Sequence, residues 1–210
     1  DLDERANRLA HVLREHGVGP GDAVGLQLAN GSEYVEGMLA AFKLRAIPVN
    51  INYRYVEREL RHLYEDSGIC ALLVHRAFAS RAAAALDGSL KLVLDVDDGS
   101  GEPPVAGSSP YEEALAAAPA TRPEVEGRSS DDLYLIYTGG TTGMPKGVVW
   151  RHEDIFKSAM GGGDLTQSGD HVSGPEELAQ RLPENGITAL AAPPLMHAAA
   201  HWLTFHQLFT

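Results

Sequence analysis

Thiols are almost absent from this 210-residue chain, which has a single cysteine, Cys70. One cysteine cannot close an internal disulfide, so the fold needs no oxidising compartment. Cys70 lies in the apolar run "ICALLV" and reads as a small core residue, not a nucleophile. Positive charge is also scarce: 17 Lys and Arg stand against 29 Asp and Glu, a net charge of −12. That deficit argues against nucleic acid or an anionic membrane as the main partner, because both need a basic face. It leaves room for a polyphosphate held locally by backbone N–H groups and a few cations. No apolar run reaches the roughly 18 residues of a membrane span, and no leader pattern opens the chain, so the cytoplasm is the expected location. An initial Met is missing as well. The chain starts inside a helical pattern, with Leu2, Ala6, Leu9 and Leu13 on one face, and ends in the apolar stretch "HWLTFHQLFT". Both ends are expected to be cut from a longer protein.

What is present is ordinary for a globular protein, 44% hydrophobic and 22% charged, and long enough for one large domain or two small ones. Helical and strand patterns alternate. After the first helix, broken at "HGVGPGD", come a strand at "AVGLQL" and a helix at "SEYVEGMLAAFKL" with Ser32 as N-cap. "AIPVNIN" reads as a strand, "YVERELRHLYEDSG" as an amphipathic helix closed by Gly68, and "CALLVH" as a buried strand. A helix at "AFASRAAAALDG" and a strand at "LKLVLDV" follow. This rhythm predicts an α/β fold with a mostly parallel sheet flanked by helices. Residues 1–96 form a first lobe. The Asp-, Gly-, Pro- and Ser-rich segment 97–130 is a surface connection with one short helix at "YEEALAAA". Residues 131–210 begin a second lobe. There, "DLYLIYTGG" and "GVVWRH" read as strands, "EDIFKSAM" as a helix, 161–186 as a polar insertion with a short helix at "PEELAQRL", and "TALAAPPLM" as a final strand and turn. The acidic run "DVDD" reads as a solvated turn.

The stretch "YTGGTTGMPKGVVWRH", Tyr137 to His152, carries the chemistry. Gly139, Gly140 and Gly143 let the backbone take positive φ and approach a ligand closely. Thr138, Thr141 and Thr142 add hydroxyls, and Lys146 adds a compact positive charge. Exposed N–H groups, hydroxyls and one ammonium together describe a polyphosphate cradle. The nucleotide P-loop, Gly-x4-Gly-Lys followed by Ser or Thr, is not matched. Lys146 follows Pro145 and precedes Gly147, and "GVVW" reads as strand where a P-loop would open a helix. The loop must therefore wrap phosphates with its own donors. A plain glycine hairpin explains it less well, since such turns do not need three threonines and a Pro-Lys.

At these residues the chain resembles the AMP-forming adenylating superfamily of acyl-CoA synthetases, adenylation domains and luciferases. Its phosphate-loop pattern is Ser/Thr-Gly/Ser-Gly-Thr/Ser-Thr-Gly-x-Pro-Lys-Gly, and "TGGTTGMPKG", Thr138 to Gly147, matches it throughout. The early helix and first strand, the strand-to-helix exit "VVWRHEDI" and the Pro-Leu-x-His segment in "AAPPLMHAAAHW" agree in order and spacing. Within the superfamily the loop and the following "MGGGD" are most similar to actinobacterial-type fatty-acyl or steroid-side-chain CoA ligases. The resemblance implies two flavodoxin-like lobes of a large N-terminal domain, incomplete here. It implies ATP, Mg2+ and coenzyme A as co-reactants and a small-molecule carboxylic acid, of the fatty or steroid-side-chain class, as substrate, with AMP and pyrophosphate as products. Thr138, Gly139, Gly140, Thr141, Thr142, Gly143 and Lys146 would hold the ATP phosphates. Lys146 and Thr142 would act in catalysis, and His197 and Trp202 would lie beside the acid. The family's Tyr-Gly-x-Thr-Glu segment for Mg2+, its Thr-Gly-Asp for ribose and its late lysine do not occur, and "SGD" at 168–170 comes too early to stand for the second. The chain alone is therefore not expected to complete the reaction.

Other candidates are weaker. "HAAAH", His197 to His201, has i, i+4 spacing for two metal ligands, but lacks the zinc-protease Glu and a third ligand, so no metal site is expected in this chain. Trp202 and Phe205 serve equally as pocket wall or core, Trp150 reads as packing, and Arg151 and His152 as the strand–helix junction. A nucleotide-binding protein or phosphotransferase releasing ADP is the alternative, and a purely structural α/β module comes third. The identity of the acid and the oligomeric state are left open, a homodimer included.

Overall fold

The computed structural model describes residues 1–139, 143–162, 171–180 and 188–209. Helix α1, Leu2–Glu15, starts at Asp1, whose carboxylate accepts the N–H groups of Asp3 and Glu4 and so satisfies donors that the first turn leaves free. It buries Ala6, Leu9, Ala10 and Leu13. Strand β1, Ala23–Gln27, follows, then α2, Ser32–Lys43, and β2, Ile47–Asn50. The N-cap of α2 is Gly31, not Ser32. Ser32 is the first helical residue, and no side chain caps this end.

Helix α3, Glu57–Ser67, ends at Gly68, whose φ of 61° is the left-handed conformation that glycine adopts without a Cβ clash. Strand β3, Ile69–His75, leads through α4, Arg76–Ala85, to β4, Leu92–Val96. The segment that follows contributes a short strand β5, Ser109–Pro110, and α5, Tyr111–Ala117, which buries Tyr111 and Leu115. Strands β6, Leu133–Thr138, and β7, Lys146–Arg151, precede α6, His152–Ala159. Helix α7, Pro175–Gln180, lies in the polar insertion, and α8, Ala198–Phe209, is the last element described.

The described strands make one sheet in the order β5-β4-β3-β1-β2-β6-β7. All neighbours are parallel except β6 and β7. The parallel strands carry helices on both faces, which is why β1 and β3 read as almost unbroken apolar runs. One face packs α1, α2, α5, α6 and α8 through Leu9, Met38, Leu115, Ile155 and Phe205. The other packs α3 and α4 through Leu60, Leu63, Ala79 and Ala82. Cys70 is half-buried against the first of these cores, and burial raises its thiol pKa.

Two further expectations are corrected. "DVDD" is not a solvated turn throughout: Asp95 sits inside β4, 3% exposed, and accepts a bidentate pair from Arg76 at 2.8 to 3.1 Å. "TALAAPPLM" does not form a strand over its described part, residues 188–196. Pro193 and Pro194 have no N–H to give a ladder, and the segment is held instead by side chains from the ends of β1 and β2.

Candidate active site

In a parallel sheet the carboxyl ends of the strands lie together, and the crevice beyond them is where α/β folds place ligands. Strand β6 ends there at Thr138. Its register partner on β7 is Lys146, so the two antiparallel strands are joined through residues 139–145. Lys146 therefore starts a strand and receives no help from a helix N-terminus. Thr138, Gly139 and Lys146 are exposed, and Gly143 has a φ of 121°. Gly140, Thr141 and Thr142 lie outside the described residues.

The stem of the loop is gripped from β2 and α3. Asn50, 1% exposed, accepts the Tyr137 N–H through Oδ1 at 2.7 Å and donates from Nδ2 to the Tyr137 carbonyl at 3.0 Å. The same Nδ2 donates to the Met196 carbonyl at 2.7 Å. The Tyr137 hydroxyl donates to Asp66 at 2.6 Å, and burial followed by that carboxylate holds the phenol well above its ordinary pKa. On the far limb, His62 Nε2 donates to the Pro145 carbonyl at 3.1 Å. Close packing explains two glycines of the motif. A Cβ on Gly139 would meet the Tyr55 hydroxyl at 3.1 Å, and one on Gly147 would meet Leu135 Cδ1 at 2.9 Å and the Tyr137 ring at 3.2 Å.

The second limb of the site is the segment 191–197. Asn30, just past β1, accepts the Leu195 N–H at 2.6 Å and donates to the Pro193 carbonyl at 3.1 Å and, at 3.4 Å, to that of Ala191. Its backbone then reaches Asn50 through Met196 and exposes His197 at the start of α8. His201, one turn later, does not share that exposure. It is buried between two tyrosines, Nδ1 2.6 Å from the Tyr134 hydroxyl and Nε2 3.1 Å from that of Tyr34. Burial pushes its pKa down to about 4. Both its nitrogens are engaged, so it is not paired with His197 for a metal ion.

Phe205 belongs to the core, edge-on to Phe42 at 5.7 Å. Trp202 and Trp150 are half-buried against the same core. A cleft of about 250 Å3 runs along α8, lined by Ala189, Ala191, Leu203, Thr204, Gln207 and Leu208. At the β7–α6 junction His152 Nε2 donates to the Leu133 carbonyl at 2.9 Å, and Arg151 pairs with Asp131 at 2.6 Å.

The structure thus brings Thr138, Gly139 and Lys146 together and ties their stem to the backbone beside His197. Asn30, Asn50, Tyr55, His62 and Asp66 were not foreseen. A polar residue closing an apolar strand, as Asn50 closes "IPVN", is the one signal that pointed to any of them. Hydroxyls and an ammonium suit phosphate oxygens. Mg2+ is served less well, since Asp66, the carboxylate touching the stem, is engaged by Tyr137. Among the described residues no group of three or more His, Cys, Asp or Glu side chains is placed to hold a metal ion.

Residues 1–209 match the family of AMP-binding enzymes. The chain is 46% identical over 213 residues to a 3-oxocholest-4-en-26-oate–CoA ligase of Rhodococcus rhodochrous, covering 100% of this chain and 38% of that protein. It is 42% identical over 223 residues to the medium-chain acyl-CoA ligase Mig of Mycobacterium avium, covering 99% of this chain and 40% of that one. The chain therefore spans about two fifths of the length of these relatives. Among solved structures, the inhibitor-bound N-terminal domain of FACL13 from Mycobacterium tuberculosis superposes with a TM-score of 0.72 at 28% identity, over 99% of this chain and 47% of that one.

Proposed function

Because the chain belongs to the AMP-binding enzyme family, we propose that the protein it is part of is an AMP-forming acid–CoA ligase acting on fatty or steroid-side-chain acids. The acid's carboxylate attacks the α-phosphorus of ATP, and the bond to pyrophosphate breaks. Negative charge grows on the leaving β,γ-phosphates, where preorganised donors lower the barrier. Thr138, the loop N–H groups and hydroxyls through Gly143, and the Lys146 ammonium supply them. The CoA thiol then attacks the acyl carbonyl, and AMP leaves. The carboxylate that serves Mg2+ is assigned to a part of the protein beyond these residues.

The observation that carries this reading is the Thr138–Lys146 register pair. It sets a hydroxyl and a cation at the two ends of one glycine loop, at the carboxyl edge of a parallel sheet. The acid class rests on the relatives named above. No helix among the described residues is long and apolar enough to cross a membrane, and we assign the protein to the cytoplasm. We assign residues 131–210 to the start of a second lobe that continues in the longer protein. The 210-residue chain by itself holds one side of the nucleotide site and is expected not to form thioester.

Acid-dependent exchange of labelled pyrophosphate into ATP tests the reading in the full-length protein. The panel is medium- and long-chain fatty acids, a steroid side-chain acid and benzoate. Exchange with fatty or steroid acids, lost in Lys146→Ala, is the expected result. ATP turnover to ADP without exchange would overturn it in favour of phosphoryl transfer.

A further inference from the structure

We propose that Asn50 is a positioning residue that holds the phosphate loop and the acid-binding segment in one register, an inference that rests on the ligase reading above. Strands β2 and β6 pair at Val49↔Leu135. One residue further on, the Asn50 side chain takes over what a backbone peptide would do. It accepts the Tyr137 N–H and donates to the Tyr137 carbonyl. A backbone peptide has one N–H, whereas a primary amide has two. The second hydrogen goes to the Met196 carbonyl. Tyr137 precedes Thr138, and Met196 precedes His197. One buried amide therefore fixes the backbone adjoining both reacting partners, ATP on one side and acid on the other.

Only Gln carries the same amide, on a stem one methylene longer, which would set the group out of place between the two carbonyls. Ser or Ala leaves buried carbonyls unpaired, and Asp sets an acceptor against two acceptors. Asn30 provides an internal contrast. Its hydrogen bonds hold Ala191, Pro193 and Leu195, and none of the three goes to β6. Loss of Asn30 should loosen the acid segment alone. Loss of Asn50 should free both limbs and spoil their mutual alignment, and misplacement of about 1 Å between reacting groups can cost on the order of 100-fold in rate.

The test uses full-length wild type, Asn50→Ser, Asn30→Ser and Asn50→Asp, with two readouts. The first is amide hydrogen exchange of the peptides around 133–139 and 192–198, which needs no activity. Asn50→Ser is expected to accelerate both peptides together and Asn30→Ser only the second. The second is pyrophosphate exchange, in which kcat of Asn50→Ser should fall roughly 100-fold while the KM for ATP moves by only about threefold. Asn30→Ser should mainly raise the KM for the acid. Asn50→Asp should be active at acidic pH, where the introduced carboxyl is neutral and can donate once, and should lose activity as pH rises. Asn50→Ser that accelerates one peptide or neither, or that keeps kcat within twofold, overturns the proposal. If Asn50→Ser fails to fold, Asn50→Asp decides: activity independent of pH overturns it. Absence of exchange in the wild type would instead sink the ligase reading, and the amide-exchange pattern would still judge the role of Asn50.

Discussion

The Tyr134 hydroxyl and His201 Nδ1 lie 2.6 Å apart in the core, with the Tyr34 hydroxyl 3.1 Å from the other ring nitrogen. A neutral imidazole has one donor and one acceptor nitrogen, so one tyrosine donates to the ring and the other accepts from it. The trio ties α8, β6 and α2 together. A protonated ring would be a buried charge with no carboxylate among these partners, which is why the pKa falls to about 4.

Stability should therefore weaken on acidification. An unfolded histidine titrates near about 6.5. Between that value and about 4 the unfolded chain binds the proton and the folded chain does not. The contribution of His201 is complete above the unfolded pKa and is lost as pH falls through this window. From pH 7 to pH 5 the loss is about 2 kcal/mol. His75 and His152, whose pKa values burial also lowers, act in the same direction. Urea titrations at several pH values should show a fall in midpoint that is shallower in His201→Phe than in the wild type. An unchanged slope would mean that the imidazole is not buried neutral.

A second expectation concerns the loop stem. Tyr137→Phe removes the hydroxyl that donates to Asp66 at 2.6 Å and keeps the ring. A hydrogen bond to a charged group contributes about 1.5–3 kcal/mol. The unfolding free energy from denaturant titration should fall by an amount in that range, and in the full-length protein the KM for ATP should rise. Pairing the change with Asp66→Asn in a double-mutant cycle isolates the interaction. Additive losses would show that the two groups do not interact.

Much of this arrangement is legible in the amino-acid sequence. The apolar runs of β1, β3 and β4 alternate with helical periodicity, and that alternation alone points to a parallel sheet. The glycines, threonines and lysine of the loop are contiguous, so their chemistry is visible as a string. Asn30 and Asn50 act differently. Each bonds to backbone groups across a large gap in the chain, |i−j| up to 165 for Asn30 and 146 for Asn50, and such pairings leave no periodicity. Residues 188–196 misled because they are apolar like a strand, yet Leu190 is 84% exposed and the prolines cannot pair. Asp95 misled in the opposite way, since Arg76, the partner that lets it be buried, sits 19 residues away.

Gly147 gives a third expectation, now about packing. Its Cα faces Tyr137 across the β6–β7 ladder. Gly147→Ala would set a methyl 2.9 Å from Leu135 Cδ1 and 3.2 Å from the Tyr137 ring. The Leu135 terminus can move, but the ring is anchored by Asp66. Overpacking of this kind costs about 1–3 kcal/mol. Thermal unfolding of Gly147→Ala should show a loss in that range. Lys146→Ala, at the neighbouring exposed position, should stay within about 0.5 kcal/mol of wild type. Equal losses at the two positions would contradict the packing account.

The last expectation concerns the outer strand. Among the described residues β7 is the final strand of the sheet, and Val148 and Val149 are 42% and 61% exposed on it. An exposed edge with β-branched side chains offers unpaired N–H and C=O groups as a template for another chain. The 210-residue chain expressed alone should therefore self-associate with rising concentration. Val149→Lys places a charge on the edge and disfavours a second strand there. Sedimentation at several concentrations should show the variant closer to monomer than the wild-type chain. Far-UV circular dichroism should be unchanged, because Val149 contributes little to the core. Equal association in both would place the contact elsewhere, the exposed Leu203 and Leu208 on α8 being the next surface to alter.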